Sequence, residues 1–229
     1  MRKTLVTLLA IAGTIGTAAF AADRETRVDE RLDASADTLT DMMRADDKGI
    51  PQDLLGKAKC VVVVPGMKKA GFVFGAKYGR GFATCRRPGG WSAPAAMRVE
   101  GGSFGFQIGA SETDIALLIM NDGGMKHLLS DKFTLGGEAS VAAGPLGRDV
   151  AAQTDAEMNA EMLSYSRSRG LFAGISLEGA SLRPDEEANR ELYPGGATNR
   201  KILTGDFKTP AAAAKFERAL HRESPHRDR

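Results

Sequence analysis

The chain has 229 residues, 31 of them basic and 29 acidic, for a formal charge of +2, and aromatics make up 6%. That balance excludes a generic polyanion binder, because nucleic-acid domains carry a clear basic excess, and the aromatics are too sparse for a base-stacking surface. The length suits one large domain or two small ones, with enough material for a core.

The first residues, "MRKTLVTLLAIAGTIGTAAFAADRE", place Arg2 and Lys3 before an apolar run and end it in small residues at Ala19-Phe20-Ala21. A positive start, a short apolar stretch and an A-x-A site predict a cleavable secretory signal over 1–21. The mature product is then an exported, periplasmic protein. Removing Arg2 and Lys3 brings its formal charge to zero. No later apolar run approaches the ~20 residues of a membrane-spanning helix.

Residues 23–48 read as a helix, with Val28, Leu32, Leu39 and Met42 or Met43 on one stripe and charges between them. Gly49 and Pro51 stop it, and "PQDLLGKA" predicts a short helix with Pro51 in its first turn. "CVVVVP", from Cys60, predicts a strand buried on both faces. "GFVFGAKYGRGFATCR", "GSFGFQIGA", "TDIALLIM", "FTLGGEASVAAG" and "GLFAGISLEGASL" supply further strands, and "GGMKHLLSDK" a helix between two of them. Of the 27 glycines, 17 fall between positions 66 and 147. Glycine inside strands permits bends and close backbone approach, and its repetition favours a strongly curved or closed sheet. "PDEEANRELY" and "TPAAAAKFERALHRES" predict closing helices. The expectation is one α+β domain over 22–222, a curved, glycine-rich, barrel-like and mainly antiparallel sheet flanked by N- and C-terminal helices, with a loose tail at 223–229.

Chemistry-bearing motifs are few. Cys60 and Cys85 allow one disulfide outside the cytoplasm, with two buried thiols as the alternative. Neither has a histidine near it in sequence, and no H-E-x-x-H or paired C-x-x-C occurs, so no metal site is expected. "GGSFG" matches G-x-S-x-G, but Ser103 opens an alternating strand rather than a strand-to-helix turn, and only His127 lies in the main body. Neither a phosphate-binding P-loop nor a dinucleotide fingerprint is present, so no cofactor and no catalysis is expected. Basic residues do fall in predicted turns: Lys68 and Lys69 in "PGMKKAG", Arg148 in "GPLGRD", Arg167 and Arg169 in "YSRSRG". Guanidiniums grip phosphate oxygens with parallel hydrogen bonds, so these five residues are the candidate anion site if the turns share one end of the sheet. The competing reading is that loops carry charge because they meet water.

The segments "AGFVFGAKYGRG", "GGWSAPAAMRV", "GSFGFQIGASETDIALLIMN", "FTLGGEASVAAGPLGRD" and "YSRSRGLFAGISLEGASL" closely resemble the SYLF domain family, in that family's order, over about residues 28–207. The resemblance implies a non-catalytic lipid-binding domain. Eukaryotic members are described as binding phosphoinositides, and some bind and bundle actin filaments. In the same comparison Arg148 matches the arginine of "GPLGR", Ser168, Arg169 and Gly170 match "SRGLFAG", and Arg167 takes a position that is basic in relatives. Trp91 and Pro94 match "WSAP" and read as scaffold. Membrane attachment in eukaryotic relatives is associated with a basic amphipathic N-terminal helix. Residues 23–48 depart from that pattern, with five basic and nine acidic side chains. An anionic bilayer repels a helix of net −4. The expected partner is an anionic phospholipid or membrane surface in the bacterial envelope, and export argues against actin. The alternatives are a structural envelope protein working through protein contacts, and a carrier of an apolar ligand inside the curved sheet.

Overall fold

The computed structural model describes residues 27–45, 49–146, 159–168, 171–172 and 177–224. The predicted signal segment, Arg148 and Arg169 lie outside them.

Helix α1 (Val28–Arg44) forms on the expected stripe: Leu32, Leu39 and Met42 are fully buried while Asp33, Asp37 and Asp41 face solvent. Spacings of three and four residues put one apolar row on the core side. α2 (Gln52–Lys57) follows Pro51, which occupies its N-cap. The chain then enters β1 (Cys60–Arg87), turns at Pro88 and Gly89, adds the short β2 (Gly90–Trp91), and returns through β3 (Ala95–Ile119). The sequence suggests separate strands here. The structure runs them together as two strands of 28 and 25 residues, antiparallel from Cys60↔Ile119 to Ala83↔Ala95. Glycines bend this hairpin without ending it. At Gly66, whose φ of 55° suits glycine, a bulge shifts the register between Val64 and Met67.

The bending brings the beginning of β1 back against its own end. The Arg86 amide donates to the Lys59 carbonyl at 2.7 Å, and a disulfide joins Cys60 to Cys85. The valine run therefore lies between two cores. Val61 and Val63 pack with α1 and α2, and Val62 and Val64 with Met97, Ile115 and Leu117.

On the far edge of β3 lie β6 (Met162–Ser168), paired to residues 114–119, and β8 (Ser181–Pro184), paired to residues 97–100. β4 (Phe133–Thr134) joins β8, β7 (Leu171–Phe172) joins β6, and β5 (Val141–Ala143) pairs β6 in parallel. The result is a curled eight-stranded sheet, antiparallel except for the β5–β6 pair. Helix α3 (Asp122–Leu128) follows β3. α4 (Glu186–Leu192), α5 (Asn199–Thr204), and α6 (Ala214–Glu223) after a short 3-10 turn, close the domain. In α6, Phe216 and Leu220 join the core that receives α1.

Two turn readings need correction. Lys68 and Lys69 lie within β1, opposite Glu112 and Ser111. Tyr165–Ser168 is the end of β6, not a turn, because Tyr165 and Ser166 are buried and Arg167 finds an acid, Asp114, directly across on β3. Opposite charges facing across a ladder favour the extended pairing.

Candidate functional site

Three of the five basic residues singled out by sequence, Lys68, Lys69 and Arg167, lie around one stretch of β3. Lys68 and Lys69 approach residues 111–112 from β1, and Arg167 approaches residue 114 from β6. Strands two apart are separated by roughly 10 Å. Carboxylates interleave this group. Glu112 stands opposite Lys68, and Asp114 accepts the Gly66 amide at 2.9 Å, holding the bulge in place.

Arg167 is committed to the protein. Its Nη2 donates to Asp41 of α1 at 2.7 Å and lies 3.7 Å from Asp114, and only 17% of the side chain is exposed. The guanidinium thus ties α1 to the β3–β6 ladder instead of being offered to a ligand. Replacing it with alanine removes a charge-assisted hydrogen bond, worth about 1.5–3 kcal/mol. Arg167→Ala is expected to lower the thermal midpoint by several degrees and to leave vesicle binding unchanged. Lost vesicle binding at unchanged stability in paired melting and sedimentation assays would assign Arg167 to the ligand instead.

A third ammonium joins the β1 lysines. Lys77, buried in β1, has its pKa pushed down, first by burial and then by the positive charge of Lys69, with Glu178 acting in the opposite sense. Lys69 and Lys77 are therefore electrostatic neighbours, brought together by the curl of the strand. Sequence reasoning passed over Lys77. Its signal was a lysine at a core-facing parity of an otherwise apolar alternation.

The catalytic alternative does not assemble. Ser103 sits within β3 opposite Gly75, not on a strand-to-helix turn. His127 belongs to α3, its ring centroid 5.9 Å from that of Phe133 and its Nε2 3.8 Å from Glu161. Among the described residues no cluster of three histidine, cysteine or acidic groups could hold a metal, and no helix is long and apolar enough to cross a membrane.

A curled hairpin sheet closed by N- and C-terminal helices, with charged side chains along its strands, defines the class. Residues 100–223 match the family described as Ysc84, Las17-binding protein actin regulator, and the chain belongs to that family. It is 40% identical over 177 residues to SH3 domain-containing YSC84-like protein 1 of Rattus norvegicus, covering 76% of this chain and 52% of the relative. It is 38% identical over 178 residues to LAS seventeen-binding protein 3 of Saccharomyces cerevisiae, covering 76% and 39%. The human YSC84-like protein 1 is 38% identical over 169 residues, covering 73% and 49%. The chain thus spans about two fifths to a half of the length of these relatives, none of which carries an enzymatic name.

Proposed function

We propose that this chain is a non-catalytic binding domain that meets anionic lipid headgroups through the basic segment of β1, in an exported, envelope setting. The observation that carries this reading is the meeting of Lys69 and Lys77 across the bend of β1, with Lys68 next to Lys69 in the strand. Burial first, and then the charge of Lys69, depress the pKa of Lys77, so an arriving phosphate relieves a repulsion already built into the fold. The N-terminal helix supports the same choice of surface. Its apolar stripe is buried in the core, and its solvent face carries Glu30, Asp33, Asp37 and Asp41, which an anionic bilayer repels.

Each basic residue near an anionic surface contributes about 1 kcal/mol. Lys68→Glu/Lys69→Glu is therefore expected to weaken binding to anionic vesicles by about 30-fold or more. Wild-type binding should fall as salt rises. Vesicle sedimentation measures both, and equal binding of wild type to neutral vesicles would refute the headgroup mechanism.

A second reading makes a protein the partner. It is favoured by the relatives, whose printed names speak of Las17 binding and actin regulation. Pull-down and size-exclusion experiments on a protein indifferent to vesicles would select it.

A further inference from the structure

Three arginines stand side by side across three neighbouring strands. The register sets Arg80 of β1 against Arg98 of β3, and Arg98 against Arg183 of β8. Two positions along the same face, Tyr78 stands against Glu100, and Glu100 against Ser181. Lys77, the neighbour of Tyr78 in the strand, points to the opposite face. Directly opposed residues on adjacent strands lie about 5 Å apart, where like charges destabilise the pairing. This row therefore depends on the carboxylates set among it.

Those carboxylates are shared unequally. Asp185, buried at the N-cap of α4, takes Arg80 through two hydrogen bonds of 2.7 and 3.1 Å, and Glu187 adds a contact at 3.6 Å. Among the described residues, Arg98 and Arg183 share one acid in their ion pairs. Glu100 lies 3.3 Å from Nε of Arg98, and its two oxygens lie 2.9 and 2.8 Å from Nη2 of Arg183. Two positive charges thus lean on one negative charge. A guanidinium presents five N–H donors, and Nε of both arginines is buried without a hydrogen-bond acceptor among the described residues. The pair is open to solvent on its outer side, with 30% of Arg98 and 38% of Arg183 exposed. Tyr78, 42% exposed, stands across from Glu100 and feels the charge of Arg98, which places its hydroxyl on the same face. Burial chiefly, then the negative charges of Asp185 and Glu100, raise its pKa, so it remains a donor at neutral pH.

We propose that Arg98 and Arg183, with the Tyr78 hydroxyl, form a binding site for a phosphomonoester, and that Glu100 is the built-in anion which the ligand displaces. A carboxylate offers one charge and two oxygens, which Glu100 already supplies. A phosphomonoester carries close to two charges and three unesterified oxygens, and can accept paired N–H groups from two guanidiniums and a phenol together. The site lies on the sheet face opposite Lys77 and does not rest on the membrane reading. Its ligand is a phosphate group, borne either by a soluble metabolite or by a lipid headgroup.

Calorimetric titration with inorganic phosphate and glycerol phosphate tests the site, using wild type, Glu100→Gln, Tyr78→Phe and Arg98→Lys/Arg183→Lys, each checked for folding by circular dichroism. Wild type should bind phosphate saturably. Glu100→Gln should bind about tenfold more tightly, because a like charge leaves the site. The double lysine variant keeps both charges but loses the planar fork, and should bind about tenfold more weakly. The roughly tenfold gain of Glu100→Gln should persist in a Lys68→Glu/Lys69→Glu background, which separates the site from the β1 lysines. Preference for phosphatidic acid over phosphatidylglycerol vesicles of equal charge would identify a lipid source, and phosphate binding without that preference a soluble one. No saturable binding by either wild type or Glu100→Gln overturns the proposal, as does undiminished binding by the double lysine variant.

Discussion

Gly81→Ala is expected to destabilise the domain by about 4 kcal/mol, and Gly81→Val to abolish its folding. A Cβ on Gly81 would lie 1.9 Å from the Val63 carbonyl oxygen and 2.7 Å from the Val64 Cα. Both are backbone atoms, so no side chain can rotate away. Val63 and Val64 cannot retreat either, because they are paired to Ala116 and Ile115 of β3 and buried on both faces. Relief requires opening the curl of β1. Ordinary overpacking costs about 1–3 kcal/mol, and larger values arise where backbone must move. A domain stable by about 5–15 kcal/mol loses a large fraction of its margin. Gly56→Ala is the contrasting control: nothing lies within 4 Å of its Cβ position in α2, and helix propensity favours alanine by up to about 1 kcal/mol. Urea denaturation compares the two. A wild-type midpoint for Gly81→Ala would mean that the two ends of β1 do not meet in solution.

The features legible in the sequence were those encoded locally. The stripe Val28, Leu32, Leu39, Met42 has helical spacing and became α1. The valines after Cys60 read as doubly buried and are, each parity feeding a different core. Glycines scattered through alternating segments pointed to curvature, and the sheet is curled. Their partners were not legible. Nothing near Gly81 in the chain announces that Val63 will lie against it, since that contact exists only once the strand has bent. The same limit merged the predicted strands into one hairpin: a glycine signals a bend and a break equally well, and only the continuous ladder from Cys60 to Ala83 decides between them. Helix α5 was missed although its signals are present, a Thr198 cap accepting the Lys201 amide and a Gly205 stop. Its six residues are too few for periodicity to register, and it lacks the proline that marked the equally short α2.

Charged residues were harder still. Arg167, the first arginine of "YSRSRG", looked like a turn residue because its acids are remote in sequence, Asp41 lying 126 positions away. The row of Arg80, Arg98 and Arg183 is invisible until the register is known. One trace of it was readable. In "MRVEG" the polar Arg98 and Glu100 alternate with the apolar Met97 and Val99, as in a strand with one buried and one open face. A site built across strands is a property of pairing, and pairing is what a single sequence states least directly.

Removing the disulfide is expected to cost about 3.5 kcal/mol, by the entropy of a loop closed across a separation of 25 residues. Cys60→Ala/Cys85→Ala should accordingly lower the thermal midpoint by roughly 7–14 °C, since each kcal/mol moves a domain of this size by about 2–4 °C. The loss should be localised. Cys60 opens β1 and Cys85 lies near its end, where the Arg86 amide meets the Lys59 carbonyl, so the bond fastens the seam on which the curl closes. Hydrogen exchange should therefore quicken first in residues 60–64 and 81–86, while α4 and α5 keep their protection. Both sulfurs are fully buried, so reductant should act on the native protein only through opening of the domain. Gly81 lies at the same closure, and contacting sites are not additive. In the cysteine-free background Gly81→Ala should therefore be less damaging than in wild type, because the seam that forbids the extra methyl has already been loosened. Equal denaturation midpoints for the oxidised and cysteine-free proteins would show that the helices and the ladder hold the curl without the covalent link.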